Sequence, residues 1–528
     1  MATVIKWNKV FYGLFFGLAF LTAIFFRFVK LGYSEFVSDE VDVLGFLFTK
    51  KSFFDFLVEQ KKGPGQFVVT YLVNFFVNNL NNIELIHRFP YAVIGIVFVI
   101  VAFLLARRVY GEKSALISLI FISLSGLLIA MSRYLQFPPF VLALGCLSIL
   151  LTCNQLSENK SSVKIPILNG LVSGAALLFH YDALAFIIPT TVSLLIARKL
   201  KSLFVYISTV FITSMLFYIR FFLHPAFSKT LNFLLFERVF SDTKNSLSIS
   251  LSIFSLYHSK EFLVIMVMGS LLWINTFSKK LDVKRTVLFA LALALTVARA
   301  YVNKSYVYNL SVFTWALFII LYLYDLYKLK GLKSENLMEI WLLTSFFTYF
   351  VFIKFPLTHI YNFLIPLFII ISTEFYKFFR EFPLPAASVL SVLIISSASF
   401  NYFAFIDTDR EYPWKKKTYV FGKMYEGVAR KEMTRGVFGL TYKRGWKEIR
   451  AEVDKLKLIN DIKTYDTNEK PSISDFYLKY GSNDISYNTH KPDLYIKINS
   501  PYSVYDAVDL PGNSIVRRDR YKIYLVRK

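Results

Sequence analysis

The chain has 528 residues, of which 55% are hydrophobic and 18% aromatic, and its mean hydropathy is +0.49. One soluble core does not require this much apolar sequence, so the composition excludes an ordinary soluble enzyme and indicates a polytopic membrane protein. The formal charge of +24 would suit nucleic acid, but no recognition motif accompanies it. An excess of Lys and Arg is expected in cytoplasmic loops and beside anionic headgroups, so we expect membrane lipids and no nucleic acid as its partners.

Apolar runs of membrane-spanning length follow one another up to about residue 403. One apolar stretch is interrupted by the polar triplet His180-Tyr181-Asp182, which we interpret as a tight turn between two membrane-spanning helices. If the chain does not turn there, the number of spans is smaller by one. With runs split where they are too long for one crossing, the pattern predicts about thirteen helices, near residues 10–29, 89–106, 114–131, 137–153, 166–180, 183–197, 203–222, 261–277, 286–302, 305–325, 337–353, 357–375 and 384–403. The first is expected to stay as a signal anchor.

The distribution of Lys and Arg predicts the orientation, because short cytoplasmic loops carry the excess of these residues. With the N-terminus inside, the inside segments hold about nineteen of them and the short outside loops about four, namely Arg133, Arg299, Lys304 and Lys354. We therefore expect a multi-pass protein of the plasma membrane with a cytoplasmic N-terminus. The loop 30–88 and the chain after residue 403 are then extracytoplasmic.

Two outside segments are longer than turns. The first, 30–88, has amphipathic stretches near 42–60 and 65–80, which we expect to lie along the membrane surface. The second, about 221–260, mixes apolar and polar residues and could form a mobile lid.

From about residue 404 the sequence is polar and charged. Alternating patterns predict strands at 493–498 and 521–525, and a helical pattern covers 445–456. The predicted organisation is therefore a mainly α membrane domain over 1–403, followed by a small extracytoplasmic α/β domain over 404–528.

An acidic loop, residues 34–42, directly follows the first apolar run. Carboxylates at a membrane edge should face water or a polar cavity, and partial dehydration raises their proton affinity. Asp39 and Glu40 are therefore candidate general bases towards a hydroxyl, although they could equally be solvated acids or cap the following helix. We expect Glu35 and Asp42 to be surface charges.

Cations on the same side are candidate phosphate ligands. Lys61 and Lys62 precede a Gly-Pro-Gly bend that lets the backbone approach a ligand, although they could instead face headgroups. Arg133 breaks the charge rule of the outside turns and offers a fork of donors that suits phosphate; the alternative is a snorkelling arginine at a helix end.

Polar residues at helix ends on this side complete the candidate site. They are His180, Tyr181 and Asp182 in one cluster, His359 and Tyr361 in a second, and Arg88 and Gln136 beside the outside loops. We predict that His359 assists phosphate binding and that the others line the substrate pocket. The alternative for the histidines is a hydrogen-bonded structural role, and Arg88 is expected to brace the first loop or pair with Glu84.

The order of these motifs resembles the GT-C membrane glycosyltransferases, particularly the protein O-mannosyltransferase and aminoarabinose-transferase (ArnT-like) group. The motifs are Phe25-Phe26-Arg27-Phe28, Ser38-Asp39-Glu40, Lys62-Gly63-Pro64, Arg88-Phe89-Pro90, Tyr110-Gly111, Ser132-Arg133 and His359-Ile360-Tyr361-Asn362-Phe363-Leu364-Ile365-Pro366. The about thirteen predicted helices followed by an extracytoplasmic domain match the layout of that group.

The resemblance implies a catalytic base at Asp39 and a contact between Lys62 and the donor phosphate. The implied reaction is inverting transfer of a sugar from a polyprenyl phosphate to a hydroxyl of a protein, lipid or glycan of the cell envelope. It requires no cofactor, although Mg or Mn could bridge Asp39 or Glu40 to phosphate. Gln136 stands where many relatives have an acid, and His180-Tyr181 where many have Lys, so the donor sugar and its number of phosphates stay open.

Two other classes of protein remain as alternatives. A lipid or solute transporter or flippase would line a midplane pathway with charges and often has internal repeats, and neither feature is evident in the sequence. A catalytically silent scaffold would only display the C-terminal domain.

Overall fold

The computed structural model describes residues 9–60, 62–77, 80–157, 162–239, 246–302, 304–329, 331–354, 356–409, 411, 418–424, 437–480, 485–499 and 514–526. The predicted Lys61 lies outside these residues. Helices dominate up to residue 405, and a mixed sheet with two helices follows.

The α-helices are numbered in chain order within the described residues. They are α1 (Lys9–Phe28), α2 (Ser38–Val43), α3 (Phe53–Val58), α4 (Gly65–Asn74), α5 (Ile83–Leu124), α6 (Gly126–Ser132), α7 (Pro138–Ser157), α8 (Lys164–Phe179), α9 (Leu184–Ile196), α10 (Leu200–Leu223), α11 (Pro225–Asn232), α12 (Ser246–Tyr257), α13 (Lys260–Ser278), α14 (Val283–Tyr301), α15 (Ser305–Lys328), α16 (Ser334–Phe346), α17 (Tyr361–Glu381), α18 (Pro383–Phe405), α19 (Trp446–Ile459) and α20 (Pro471–Lys479). Short 3-10 helices cover Gly45–Leu47, Leu80–Asn82, Tyr181–Ala183 and Leu357–Ile360, and π-helices cover Phe233–Val239 and Phe347–Phe352.

Seven helical stretches of the described chain are long and apolar enough to cross a membrane. They are Leu80–Leu124, Pro138–Ser157, Leu200–Leu223, Lys260–Ser278, Ser305–Lys328, Leu357–Glu381 and Pro383–Phe405, and shorter apolar helices cover Tyr12–Phe28, Lys164–Phe179 and Tyr181–Ile196. Each predicted span overlaps helical residues of the structure, although 114–131 crosses the break between α5 and α6 at Ser125 and 337–353 continues from α16 into a π-helix. The chain is an integral membrane protein. The number of crossings remains a prediction.

Helix α5 consists of two helical segments that meet at Gly111. The backbone there has φ 83° and ψ 173°, which is not helical and which a residue with a Cβ rarely adopts. Because α5 has 42 residues, about twice the length that a bilayer requires, this break fits the predicted turn between two spans.

The polar triplet at 180–182 is a turn, as predicted. His180 ends α8 with extended backbone (φ −167°, ψ 151°), and Tyr181–Ala183 form one 3-10 turn before α9. The end of α8, the start of α9 and the start of α17 meet there, because Asp182 contacts His359 and Tyr361.

The first outside loop differs from its prediction. The stretch 42–60 is not one amphipathic helix but consists of the end of α2, the turn Gly45–Leu47 and α3, whereas α4 covers most of the stretch 65–80. In the segment 221–260, α12 is packed through the buried Phe254 and Tyr257. That this segment forms a mobile lid stays a prediction.

The described residues after α18 form a five-stranded sheet in the order β4-β3-β5-β7-β6, with a separate hairpin of β1 and β2. β3 pairs in parallel with β4 and β5, whereas β7 is antiparallel to β5 and β6. The strands are β1 (Thr418–Tyr419), β2 (Gly422–Lys423), β3 (Thr464–Thr467), β4 (Ser486–Tyr487), β5 (Leu494–Ile498), β6 (Val516–Arg517) and β7 (Tyr521–Leu525). The predicted strands at 493–498 and 521–525 and the predicted helix at 445–456 are confirmed. We call the described residues 437–480, 485–499 and 514–526 the C-terminal segment.

The core has two parts. The larger lies among the long helices, and the second joins the acidic loop to the C-terminal segment, with Phe36 and Val41 packed in the same cluster as Trp446 and Phe476. The first outside loop is therefore held between the membrane helices and the sheet.

Candidate functional site

Asp39 lies at the start of α2, where its side chain is 57% exposed. The ammonium of Lys62 is 3.9 Å from Asp39 Oδ2 and donates a hydrogen bond of 2.8 Å to Gln136 Oε1. The Gln136 amide in turn donates to the backbone carbonyl of Asp39 at 2.6 Å. An exposed carboxylate thus stands beside a cation, and one buried amide contacts both residues.

The bend after Lys62 is packed against the end of α8. A Cβ built on Gly63 would lie 2.2 Å from the carbonyl oxygen of Leu178, so only glycine allows this approach. In α4, the side chain of Gln66 accepts the backbone N–H of Phe137 at 3.1 Å. These contacts hold Lys62 close to Gln136.

Glu40 is buried and fully engaged. Its carboxylate accepts two hydrogen bonds from Arg88, at 2.8 and 2.7 Å, and the backbone N–H groups of Leu135 and Val37 at 2.9 and 3.0 Å. Arg88 also donates to the carbonyls of Leu31, Ser34 and Glu35, so it braces the first loop as expected. Its carboxylate partner is Glu40 and not the expected Glu84.

Arg133 differs from its prediction as a phosphate ligand. Its side chain is buried, and its five N–H donors are directed at five backbone carbonyls, those of Phe26, Val29, Lys30, Phe405 and Gly439, at 2.8 to 3.2 Å. These carbonyls belong to the C-terminal ends of α1 and α18, to the residues after α1 and to the C-terminal segment. A guanidinium has no sixth donor for phosphate, so Arg133 ties helix ends together.

Asp182 gathers the other predicted polar residues. Its Oδ2 is 2.6 Å from His359 Nδ1, 2.6 Å from the Tyr361 hydroxyl and 3.2 Å from the Asn362 amide. His180 Nδ1 lies 3.3 Å from Asp182 Oδ1. Because a carboxylate accepts, Nδ1 of His359 carries the hydrogen, which leaves Nε2 for a ligand. Asp182 is buried, whereas His359 is 18% exposed.

Phe137 joins the two clusters. Its ring is stacked on that of His180, with centroids 3.6 Å apart, and lies 6.2 Å from that of His359. The Lys62 ammonium is 5.9 Å from the same ring. The two clusters therefore form one connected region beside the half-buried Tyr181. Its members are Asp39, Lys62, Gln136, His180, Asp182, His359 and Tyr361. Arg133 makes none of these contacts. No sequence pattern distinguishes Phe137 from the many other aromatic residues of the chain.

His180, Asp182 and His359 could hold a metal ion, because their ligand atoms lie within 4.8 Å of one another. Two imidazole nitrogens and one carboxylate oxygen suit zinc or another transition metal better than magnesium. Asp182 Oδ2 already accepts three hydrogen bonds, so an ion would have to displace donors. Glu40 is unavailable to a bridging Mg or Mn, since both its oxygens are paired with Arg88.

Glu35, expected to be a surface charge, is 3% exposed. Burial raises the pKa of its carboxyl, while the Arg444 guanidinium and backbone N–H donors oppose that rise. Asp42 is 53% exposed, as expected, with Lys470 Nζ 3.7 Å away. Desolvation raises the pKa of Asp42, and the Lys470 charge lowers it.

Comparison with known proteins identifies the family resemblance. Residues 62–220 match the sequence profile of the family described as Dolichyl-phosphate-mannose-protein mannosyltransferase. The matched segment begins at Lys62 and includes Gln136, His180 and Asp182, but not Asp39 or His359. No curated protein sequence is significantly similar to the chain.

Solved structures extend the resemblance to the fold. The crystal structure of ArnT from Cupriavidus metallidurans bound to undecaprenyl phosphate has a TM-score of 0.51 and 13% identity, over 98% of each chain. The structure of its apo state has a TM-score of 0.51 and 12% identity, over 98% of this chain and 97% of that chain. The Archaeoglobus fulgidus oligosaccharyltransferase in complex with Zn and sulfate has a TM-score of 0.46 and 13% identity, over 92% of this chain and 68% of that chain. The profile match and the two ArnT structures confirm the resemblance to GT-C membrane glycosyltransferases of the ArnT and protein mannosyltransferase type, and the chain has the fold of ArnT.

Proposed function

We propose that this chain, with the fold of the GT-C membrane glycosyltransferases, transfers a sugar from a polyprenyl-phosphate-linked donor to an acceptor hydroxyl. The observation that carries the proposal is the exposed Asp39 carboxylate 3.9 Å from the Lys62 ammonium, outside the long helices. A base beside a fixed cation is what this reaction requires, because a proton leaves the acceptor while negative charge develops on phosphate.

The proposed step is an in-line displacement. Asp39 takes the proton of the acceptor hydroxyl, and the oxygen forms a bond to the anomeric carbon. The bond from that carbon to the phosphate oxygen breaks, and the electron pair leaves with the polyprenyl phosphate. The configuration at the anomeric carbon is inverted. A phosphate leaves as an anion without being protonated, so one carboxylate base is sufficient.

The leaving phosphate gains charge next to Lys62 in this proposal. Gln136 holds the ammonium by a hydrogen bond from a neutral amide, which does not itself neutralise the positive charge. His359 is the second candidate, since its Nδ1 is bound to Asp182 and its Nε2 is directed away from that carboxylate. Arg133 has no part in phosphate binding, and Glu40 holds the loop.

The proposal also includes the side of the membrane on which the site lies and the molecules that bind there. The loop charges favour an extracytoplasmic site, with residues 404–528 as a soluble domain on that side. The reported ArnT structure holds undecaprenyl phosphate, which supports a lipid-linked donor here. The transporter alternative gains no support, since the matched profile is that of a mannosyltransferase family and the chain has the fold of ArnT.

A transfer assay tests the proposal. The protein in lipid nanodiscs is supplied with undecaprenyl phosphate carrying radiolabelled mannose, glucose, galactose or arabinose, together with a Ser/Thr peptide mixture and an envelope glycolipid extract. Release of undecaprenyl phosphate with label appearing on an acceptor supports the function, and nuclear magnetic resonance of the product gives the anomeric configuration. A retained configuration would contradict the single displacement. No release with any donor would contradict the function.

A further inference from the structure

The residues directly before Asp39 are held by the C-terminal segment. The Ser34 hydroxyl donates to the carbonyl of Leu440 at 2.5 Å and accepts the backbone N–H of Tyr442 at 3.0 Å. These partners lie 406 and 408 positions from Ser34 in the sequence. The loop is therefore anchored by tertiary contacts that form only when the C-terminal segment is docked.

Glu35 makes the strongest of these contacts. Its carboxylate accepts the backbone N–H groups of Arg444 at 2.7 Å, Gly445 at 3.1 Å and Trp446 at 2.5 Å. Trp446 is the first residue of α19, a helix of 14 residues, and Gly445 is its N-cap. Glu35 thus binds the free N–H groups of a helix N-terminus, where the helix dipole favours negative charge.

Phe36 adds a second anchor from the same segment. Its backbone N–H donates to the Tyr477 hydroxyl at 2.7 Å, and its carbonyl accepts from the Arg444 guanidinium. The Tyr477 hydroxyl donates to Glu84 at 2.9 Å, and the Phe36 ring packs edge-on against Phe476 at 5.4 Å. The segment therefore contacts both the acidic loop and the first turn of α5.

On its other side, Asp39 adjoins an anchor in the membrane helices. Glu40 is bound by Arg88 of α5 and by the backbone N–H of Leu135. Asp39 lies between the two anchors, so its position depends on both. A misplacement of about 1 Å at a reacting group can cost about a hundredfold in rate.

We propose that Glu35 is a positioning residue that sets Asp39 beside Lys62 by latching the acidic loop to the N-terminus of α19. Sugar transfer then depends on docking of the C-terminal segment, which holds the residues directly before Asp39. The inference rests on the proposed function for its catalytic part, whereas the latch itself is a structural statement with its own readout.

The test compares Glu35→Gln with wild type in full-length protein in nanodiscs. The amide keeps the shape but turns an N–H towards backbone donors. We expect faster hydrogen exchange in residues 34–42, a fall in kcat of at least about tenfold, and a KM for the lipid-linked sugar within about twofold, since Gln136 holds Lys62 independently. The matched control is Glu59→Gln, an acid of the same outside loop that pairs with the exposed Lys51 and should change none of these values.

Tyr477→Phe provides a milder variant if Glu35→Gln does not fold, and it should change the same quantities in the same direction. Unchanged exchange at residues 34–42 in the variants would overturn the latch. Faster exchange with the wild-type kcat would overturn the positioning role and leave Glu35 only stabilising. Wild-type protein inactive with every donor would overturn the proposed function and the catalytic part, while the exchange result would still decide whether the latch exists.

Discussion

Arg88 and Glu40 form a buried ion pair beneath the acidic loop, joined by two hydrogen bonds of 2.8 and 2.7 Å. The side chains are 5% and 1% exposed, so neither charge can be solvated if the other is removed. Asp39, the residue before Glu40, instead faces outward. These two adjacent acids thus have different environments, and the buried Glu40 holds the backbone from which the exposed Asp39 side chain projects.

Replacing Glu40 with Gln should destabilise the protein strongly. The Arg88 charge would be left buried without its partner, which costs about 3 to 5 kcal/mol in the free energy of unfolding. The measurement is denaturation in mixed micelles, with Glu59→Gln as the control. Because the Lys51–Glu59 pair is exposed, its loss should cost less than about 1 kcal/mol. Equal effects of the two variants would contradict the structural role of the buried pair.

Replacing Lys62 with Met should weaken binding of undecaprenyl phosphate at least about tenfold, because a charge-assisted contact to phosphate is lost. Lys62→Glu should weaken it further. Binding is measured by titration of the nanodisc-embedded protein, and Lys51→Met removes an exposed cation of the same outside loop as the control. If Lys62→Met binds the lipid phosphate as tightly as wild type, this residue has no place in the phosphate site.

Replacing Gly63 with Ala should displace the bend that carries Lys62. The added Cβ would lie 2.2 Å from the carbonyl oxygen of Leu178, so the backbone must shift, at a cost of about 1 to 3 kcal/mol. Both thermal stability and affinity for undecaprenyl phosphate should fall. Gly17→Ala is the control, since a Cβ there meets nothing within 4 Å. A Gly63→Ala protein with wild-type affinity would show that the close approach to α8 does not position Lys62.

Replacing Arg133 with Lys should separate stability from ligand binding. The ammonium cannot reach five carbonyls, and the groups left unpaired should cost at least about 2 kcal/mol in the free energy of unfolding. The affinity for undecaprenyl phosphate should stay within about twofold of wild type, measured under conditions where the variant remains folded. A loss of affinity as large as that of Lys62→Met would return Arg133 to the phosphate site.

Sequence patterns predicted the helical part of the fold well because each helix carries its own signal. An apolar run of sufficient length indicates a span. Placing the polar triplet at 180–182 inside a bilayer would cost free energy, so a turn at the membrane surface is expected there. The alternation at 494–498 and 521–525 similarly matches β5 and β7. The first outside loop was predicted less well, because short helices such as α3 depend on tertiary contacts.

The errors in the site arise from partners that sequence patterns do not reveal. Glu35 was expected at the surface because its N–H partners at 444–446 belong to a helix start far along the chain. Arg133 was expected to bind phosphate because backbone carbonyls at helix ends carry no residue signal. Arg299, another cation against the charge rule, likewise donates to the carbonyls of Phe350 and Val351. Both arginines bind carbonyl groups at helix ends. The polarity of a residue in the sequence does not show whether it has this structural role or binds a ligand.

The most direct test of the account is single-turnover sugar transfer by Asp39→Asn. The variant keeps the size of the side chain and the Gln136 contact to the backbone but cannot accept a proton. With enzyme in excess over the lipid-linked sugar identified for wild type, the transfer rate should fall at least about a hundredfold, and undecaprenyl phosphate should bind at least as tightly as before. Transfer by Asp39→Asn at the wild-type rate would contradict the assignment of Asp39 as the base.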